Sequence, residues 1–224
     1  MRPERTRLYD GLDVSELRRL RKAVFTLLSV VTGASLLGTA LAPYLLVKSP
    51  LLLVAISPAS HHVVLAAASV DPATLIAVAT ARRVLTGVAA YGLGFLYGRA
   101  ALGWIEQRYP RLSRFVGWVE RLFARFGVWL LIVAPAPTVA LFAGAARTRF
   151  IAFVLAVALG HALWNGVAVY VGDTVAVWTD LFTSFIGENL LESTLVCVAA
   201  VMLQQALSRR ARRRRQTELP ISPT

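Results

Sequence analysis

The stretch that decides the fold is Phe126 to Asp173, FGVWLLIVAPAPTVALFAGAARTRFIAFVLAVALGHALWNGVAVYVGD. It opens as an apolar helix, breaks at Pro135 and Pro137 and resumes in small residues around Gly144. It then turns on Arg147-Thr148-Arg149 and runs apolar from Phe150 to Val171, long enough to cross a bilayer. A proline has no amide hydrogen to donate, and its ring clashes with the preceding helical turn. Lipid offers no replacement hydrogen bonds, so irregular backbone at bilayer depth has to be buried in protein or line a wet cavity. Broken apolar segments of this kind are where transporters tend to hold their binding sites.

The composition around this stretch agrees with it. Of 224 residues 57% are hydrophobic, mean hydropathy is +0.62, and several apolar runs reach the length of a membrane helix. The chain therefore reads as an integral membrane protein, with room for four full spans and shorter re-entrant pieces.

The net charge of +12 raises the question of nucleic acid, and the placement of the charges answers it. Seven of the 24 Lys and Arg lie in residues 1–22, six in 99–125, two at 147–149 and six in 209–215. With alternating spans all four clusters fall on one side, the positive-inside pattern, so both termini are expected in the cytoplasm. Basic segments beside a span read anionic lipid head groups, and no nucleic-acid partner is expected. The single cysteine, Cys197, lies in an apolar run and reads as a small core residue.

In chain order, residues 1–22 form a basic cytoplasmic lead-in, and Ala23 to Leu46 is the first span. Residues 48–70 hold eight apolar-leaning residues on each side of Pro58, too few to cross, so they are expected to form a re-entrant hairpin with Ser57 to His62 at its tip. Asp71-Pro72 reads as an N-cap followed by proline at the first helical position, opening a span from Ala73 to Gly98. Arg99 to Arg125 alternates basic residues with Trp104, Tyr109, Phe115, Trp118 and Phe123. This suits a surface helix pair interrupted at Pro110. Residues 126–146 form the second hairpin and Phe150 to Val171 the third span. Asp173, Asp180, Glu188 and Glu192 mark a loop, Leu190 to Leu207 is the fourth span, and 208–224 is a basic, disordered cytoplasmic tail.

The expected fold is thus all-α, with one transmembrane domain over 23–207. Its two halves look alike, each with a proline-broken hairpin and a span, ending in Gly98-Arg99-x4-Trp104 and Gly172-Asp173-x4-Trp178. Opposed hairpins of this kind are what an inverted repeat predicts.

YGLGFLYGRAALGW, RFGVWLLIVAPAP and FAGAARTRFIAFVLAVALGHALWNGVAVYVGD together resemble the DedA/VTT (SNARE-associated) membrane proteins over about residues 40–175. The matching features are Gly98-Arg99, Phe123 with Gly127, Pro135 or Pro137, Ala143-Gly144, Phe150 and Phe153, Gly160 to Trp164, and Gly172. The resemblance implies two opposed re-entrant hairpins in a helical bundle and a role in moving lipids between leaflets, as a flippase or scramblase for polyprenyl phosphate or phospholipid. The chain departs from the family where charge is usual. Val133, Ala134, Ala136 and Thr138 stand in place of arginines beside the second proline, and Ser57, Ser60, His61 and His62 in place of acidic residues in the first hairpin. The resemblance therefore carries no expectation of proton coupling.

Candidate substrate-binding residues follow from what an anionic head group needs. Arg82 and Arg83 sit about ten residues into their span, and an unpaired cation at that depth costs at least ~2.5 kcal/mol, so they should face protein or water. Arginine also suits phosphate through bidentate donation. The two are about 100° apart on a helix, so at most one points squarely into a shared cavity. The competing reading pairs one with Asp71 or lets it snorkel. His61 and His62 at the first tip suit a proton-responsive gate or, more plainly, a polar cap on a tight turn. His161, with Trp164 and Asn165, lines a cavity or is a hydrogen-bonded interior group. Pro135, Pro137 and Gly144 shape the second hairpin. No metal set, cofactor motif or nucleophile turn is present in the sequence, so neither metal nor enzyme chemistry is expected. The alternative to lipid transport is a membrane scaffold that keeps the fold, and a homo-oligomer is compatible with either.

Overall fold

The computed structural model describes residues 13–108, 121 and 125–217, and among them every regular element is helical. The helices are α1 (Val14–Ala40), α2 (Ala42–Lys48), α3 (Pro50–Ile56), α4 (Ser60–Ala66), α5 (Pro72–Arg108), α6 (Val128–Val133), α7 (Pro137–Ala145), α8 (Phe150–Thr174), α9 (Ala176–Glu188) and α10 (Leu190–Thr217). Four are long and apolar enough to cross a membrane, over Ser15–Ala40, Pro72–Gly98, Phe150–Thr174 and Leu190–Ser208.

Local chemistry sets where these helices start and stop. At the head of α1 the Asp13 amide donates to Glu16 Oε2 at 3.1 Å, the back-bond of a capping box. The basic segment Glu16–Lys22 is therefore the first part of the span helix itself, and residues 1–12 lie outside the described residues. The first span stops at Ala40 and not at Leu46, because Pro43 cannot donate to the Thr39 carbonyl. Leu41 leaves helical geometry and α2 starts afresh.

At the head of α5 the Asp71 carboxylate accepts from the Thr74 amide at 2.9 Å and the Thr74 hydroxyl at 2.8 Å, directly before Pro72. Helix α5 then runs past Gly98 to Arg108, so residues 99–108 prolong the helix beyond the span where a separate surface helix was expected. Most of the remaining aromatic and basic stretch lies outside the described residues.

Two further expectations are corrected. The acidic segment after α8 is no loop: Ala176–Glu188 is helical. It exposes Val177, Trp178, Leu181 and Phe185 along one side and buries Thr179 and Ile186 on the other. The basic run after Leu207 continues α10 to Thr217, since Ala, Arg and Gln are good helix formers. Residues 218–224 lie outside the description.

The described chain groups into two compact units whose limits fall inside α1, α5 and α8. One comprises the described residues of Met1–Thr32 and Arg83–Leu163. Its core is Tyr91, Leu131, Ala140, Ala143, Phe153, Ala156 and Val157, so α6 and α7 are packed with the adjoining parts of α5 and α8. The other comprises Gly33–Arg82 and the described residues of Trp164–Thr224. There Val54, Val63, Ala66, Leu75, Ala79 and Val169 form one cluster, and Leu45, Leu46, Leu53 and Ile186 a second. Along α8 the residues Ile151, Leu155, Leu159, Leu163, Val167 and Tyr170 are exposed, an apolar stripe at helical spacing that suits lipid.

Candidate functional site

Each unit contains one pair of short helices separated by a three-residue gap with a proline in it. In the second unit the gap is Ser57-Pro58-Ala59, between α3 and α4. A helix end leaves its last carbonyls without intrahelical donors, and at apolar depth each must find a partner. Here two side chains supply them. Arg82, only 8% exposed, donates from Nη2 to the Ile56 carbonyl at 3.1 Å and to Ser35 Oγ at 3.1 Å. His62 is buried too, and its Nδ1 lies 2.8 Å from the Ser57 carbonyl. A carbonyl oxygen only accepts, so Nδ1 carries the hydrogen. A cation beside a helix C-terminus is also favoured by the helix dipole.

Serine and threonine complete the cluster. Thr39 Oγ1 donates to the Ser35 carbonyl at 2.8 Å and lies 3.4 Å from Ser57 Oγ. With the Thr39 hydrogen already placed, Ser57 is the donor across that gap. Sequence reading missed Ser35 and Thr39. The signal was weak, since the same span also carries Thr26, Ser29 and Thr32, and nothing in the sequence sets Ser35 and Thr39 apart from them.

The other candidates divide between the units. His61 is exposed and meets the His62 ring edge-on, with centroids 4.2 Å apart. Asn165 is fully buried: its Nδ2 donates to Thr80 Oγ1 at 3.0 Å, while Oδ1 has no partner among the described residues. Trp164 is exposed.

In the first unit Arg83 is partly exposed and His161 is buried within electrostatic reach of it. His161 Nδ1 has no partner among the described residues. Pro135 lies in the gap between α6 and α7, and Pro137 opens α7. Gly144 is pressed against the Tyr91 and Phe95 backbone, where a Cβ would overlap the Tyr91 carbonyl.

Arg82 and His62 are thus brought to adjacent carbonyls of one break, and Asn165 is paired with a hydroxyl the sequence did not flag. The described residues contain no group of three or more His, Cys, Asp or Glu able to hold a metal ion.

Among the described residues the chain is all-helical, with four helices long and apolar enough to cross a membrane and two proline-broken helix pairs, as in a membrane protein. No family model, curated protein or solved structure matches the chain.

Proposed function

We propose that the protein moves an anionic lipid, a polyprenyl phosphate or a phospholipid, between the leaflets of a bacterial inner membrane, as the DedA/VTT resemblance implies. In this reading the two broken helix pairs are re-entrant hairpins entering from opposite faces as an inverted repeat, with both termini cytoplasmic. The head group passes the buried polar side chains at a break while the tails remain in lipid.

The observation that carries the reading is Arg82, a cation buried within a membrane-length helix and aimed at the open end of α3. A guanidinium offers five N–H donors in a planar fork and stays charged at any working pH. A permanent positive charge at apolar depth is what a phosphate head group requires there.

The test is leaflet exchange of fluorescent phospholipids and of a polyprenyl phosphate in liposomes holding the purified protein. Arg82→Ala also removes a structural donor, so the informative variants are Arg83→Gln, Arg82→Gln, which keeps an N–H donor but no charge, and the double substitution, each verified as folded. Loss of charge-assisted donation should slow exchange by about tenfold in the double variant. Unchanged exchange in all three removes the arginines from the mechanism.

A second reading, a non-transporting membrane scaffold, draws on a different feature of the same residue. Arg82 already serves Ser35 and Ile56, a duty that is purely structural. Folded, inserted protein that exchanges no lipid would favour it.

A further inference from the structure

The second unit contains a partly open cavity of about 540 Å³, lined from α1, α2, α3, α4, α9 and the start of α10, which shares Thr39 and His62 with the break but extends away from it to α9 and α10. Its size falls in the range of small-ligand sites. Most of its wall is apolar, with Leu46, Leu53, Phe182, Phe185, Ile186 and Val196 contributing. The polar lining is Thr39, His61, His62, Asn189, Glu192 and Ser193, and no lysine or arginine among the described residues joins it.

What decides the ligand is where the hydrogens of that lining already are. The Thr39 hydroxyl donates to the Ser35 carbonyl. His62 Nδ1 donates to the Ser57 carbonyl, so Nε2 of the neutral ring is left as an acceptor. Asn189 Nδ2 donates to the Phe185 carbonyl at 3.1 Å, and Oδ1, an acceptor, bonds no donor among the described residues. Glu192 brings the one formal charge in the wall, and it forms no ion pair with a described residue. His61 and Ser193 can serve either way. The cavity therefore offers a set of acceptors and a negative charge beside a broad apolar surface.

We infer that this cavity binds a membrane lipid by a primary-ammonium head group. Such a group supplies three N–H donors and a positive charge, the complement of Glu192, His62 Nε2 and Asn189 Oδ1. A trimethylammonium carries the charge but has no hydrogen to donate. A glycerol phosphate carries the opposite charge. Neither Arg82 nor Arg83 lines the cavity, and its test measures occupancy instead of exchange.

Cys197 lines the cavity and is the only cysteine in the chain, so its rate of modification reports whether the space is filled. The experiment follows reaction of Cys197 with methyl methanethiosulfonate in nanodiscs of phosphatidylcholine. These are used alone or with increasing phosphatidylethanolamine or phosphatidylglycerol, and rates are compared as ratios within each variant. Phosphatidylethanolamine should protect the thiol, with phosphatidylglycerol leaving the rate at its phosphatidylcholine value. Glu192 is exposed, so Glu192→Gln should fold, and it should need about tenfold more phosphatidylethanolamine for equal protection. Equal protection by phosphatidylglycerol would show mere apolar filling and overturn the inference. So would protection unchanged in the variant, or none from phosphatidylethanolamine.

Discussion

The two broken helix pairs meet the same physical problem and solve it in opposite ways. At Ser57-Pro58-Ala59 the chain brings in donors: Arg82 and His62 reach the carbonyls of Ile56 and Ser57 with long polar side chains. At Ala134-Pro135-Ala136 the neighbouring residues are Val133 and Pro137, and the surroundings are shaped by missing side chains. Gly160 lies so close to the end of α6 that a Cβ there would stand 2.7 Å from the Ile132 carbonyl oxygen and 2.8 Å from that of Leu131. Gly94 and Gly98 are pressed onto α7, and Gly144 returns the contact onto α5. Small residues four apart let helix backbones approach closely where lipid supplies no hydrophobic drive between helices. One break is held by chemistry that a ligand or a substitution can redirect; the other is held by shape.

That difference is most sharply broken at Gly144. A single methyl there meets the Tyr91 carbonyl and the Phe95 amide, both backbone, so no side chain can move aside. Gly144→Ala should cost about 3 kcal/mol or more, judged by the upper range of overpacking. The expected outcome is a large fall in melting temperature and in monodisperse yield. Gly166, in α8, has open space where a Cβ would stand, with nothing within 4 Å, so Gly166→Ala should be neutral or stabilise by up to about 1 kcal/mol. Equal melting temperatures for the two variants would show that close backbone contact is not what holds the second break.

The first break should respond to donors, not volume. Arg82→Met keeps much of the side chain's bulk but takes away the donor that serves the Ile56 carbonyl and the Ser35 hydroxyl, at a cost of about 1.5–3 kcal/mol. Arg82→Lys should recover part of this, because an ammonium can reach one acceptor but lacks the planar fork. Thermal melting in detergent separates the outcomes. If the Met and Lys variants melt together, the donor argument fails and Arg82 is only filling space.

A smaller effect is expected at Asn165, where one amide atom is bonded and the other is not. Replacing both partners, Asn165→Leu with Thr80→Val, removes a hydrogen bond and an unpaired buried oxygen together. The double variant should stay within about 1 kcal/mol of the parent, and a larger loss would mean that Oδ1 has a partner in the working protein.

Much of the frame was legible in the sequence for simple reasons. Runs of about 20 apolar residues can only be spans, and prolines 58, 135 and 137 remove amide donors wherever they sit. What was not legible depended on partners distant in the chain. Arg82 announced itself as a charge in a span, but its attachment to Ser35 and Ile56 is set by packing of α1 and α3. The helix Ala176–Glu188 reads as a loop only when its acidic residues are weighed above the spacing of Val177, Trp178, Leu181 and Phe185.

The end of α7 was foreseen as a turn, but its form was not. Arg147 takes a left-handed conformation (φ 54°), with Thr148 N bonded to the Ala143 carbonyl and Arg147 N to that of Gly144. This is the Schellman arrangement with arginine where glycine is usual. The Arg147 guanidinium lies 5.2 Å from the centre of the Phe95 ring, a cation–π contact that offsets part of the strain.

The mildest test contrasts the buried caps of the first break with an exposed cap on the helix that carries Arg82. Asp71 accepts from the Thr74 amide and hydroxyl, and these bonds, the amide first, hold its carboxyl below the ordinary carboxylate value. A carboxyl with a depressed folded pKa stabilises the fold fully above its unfolded value, near 3.9, and loses that contribution as pH falls through the lower folded value. The gap in melting temperature between parent and Asp71→Ala should therefore be constant above about pH 5 and close as the medium is acidified below about pH 4. Asp71→Asn retains an acceptor for the Thr74 amide without titrating, so its melting temperature relative to Asp71→Ala should not change over the same interval. Because Asp71 is fully exposed, water competes for its bonds and the gap should be small. A gap that persists undiminished at pH 2 would show that the cap does not depend on the ionised carboxylate. The neutral carboxyl would then be the acceptor that caps α5.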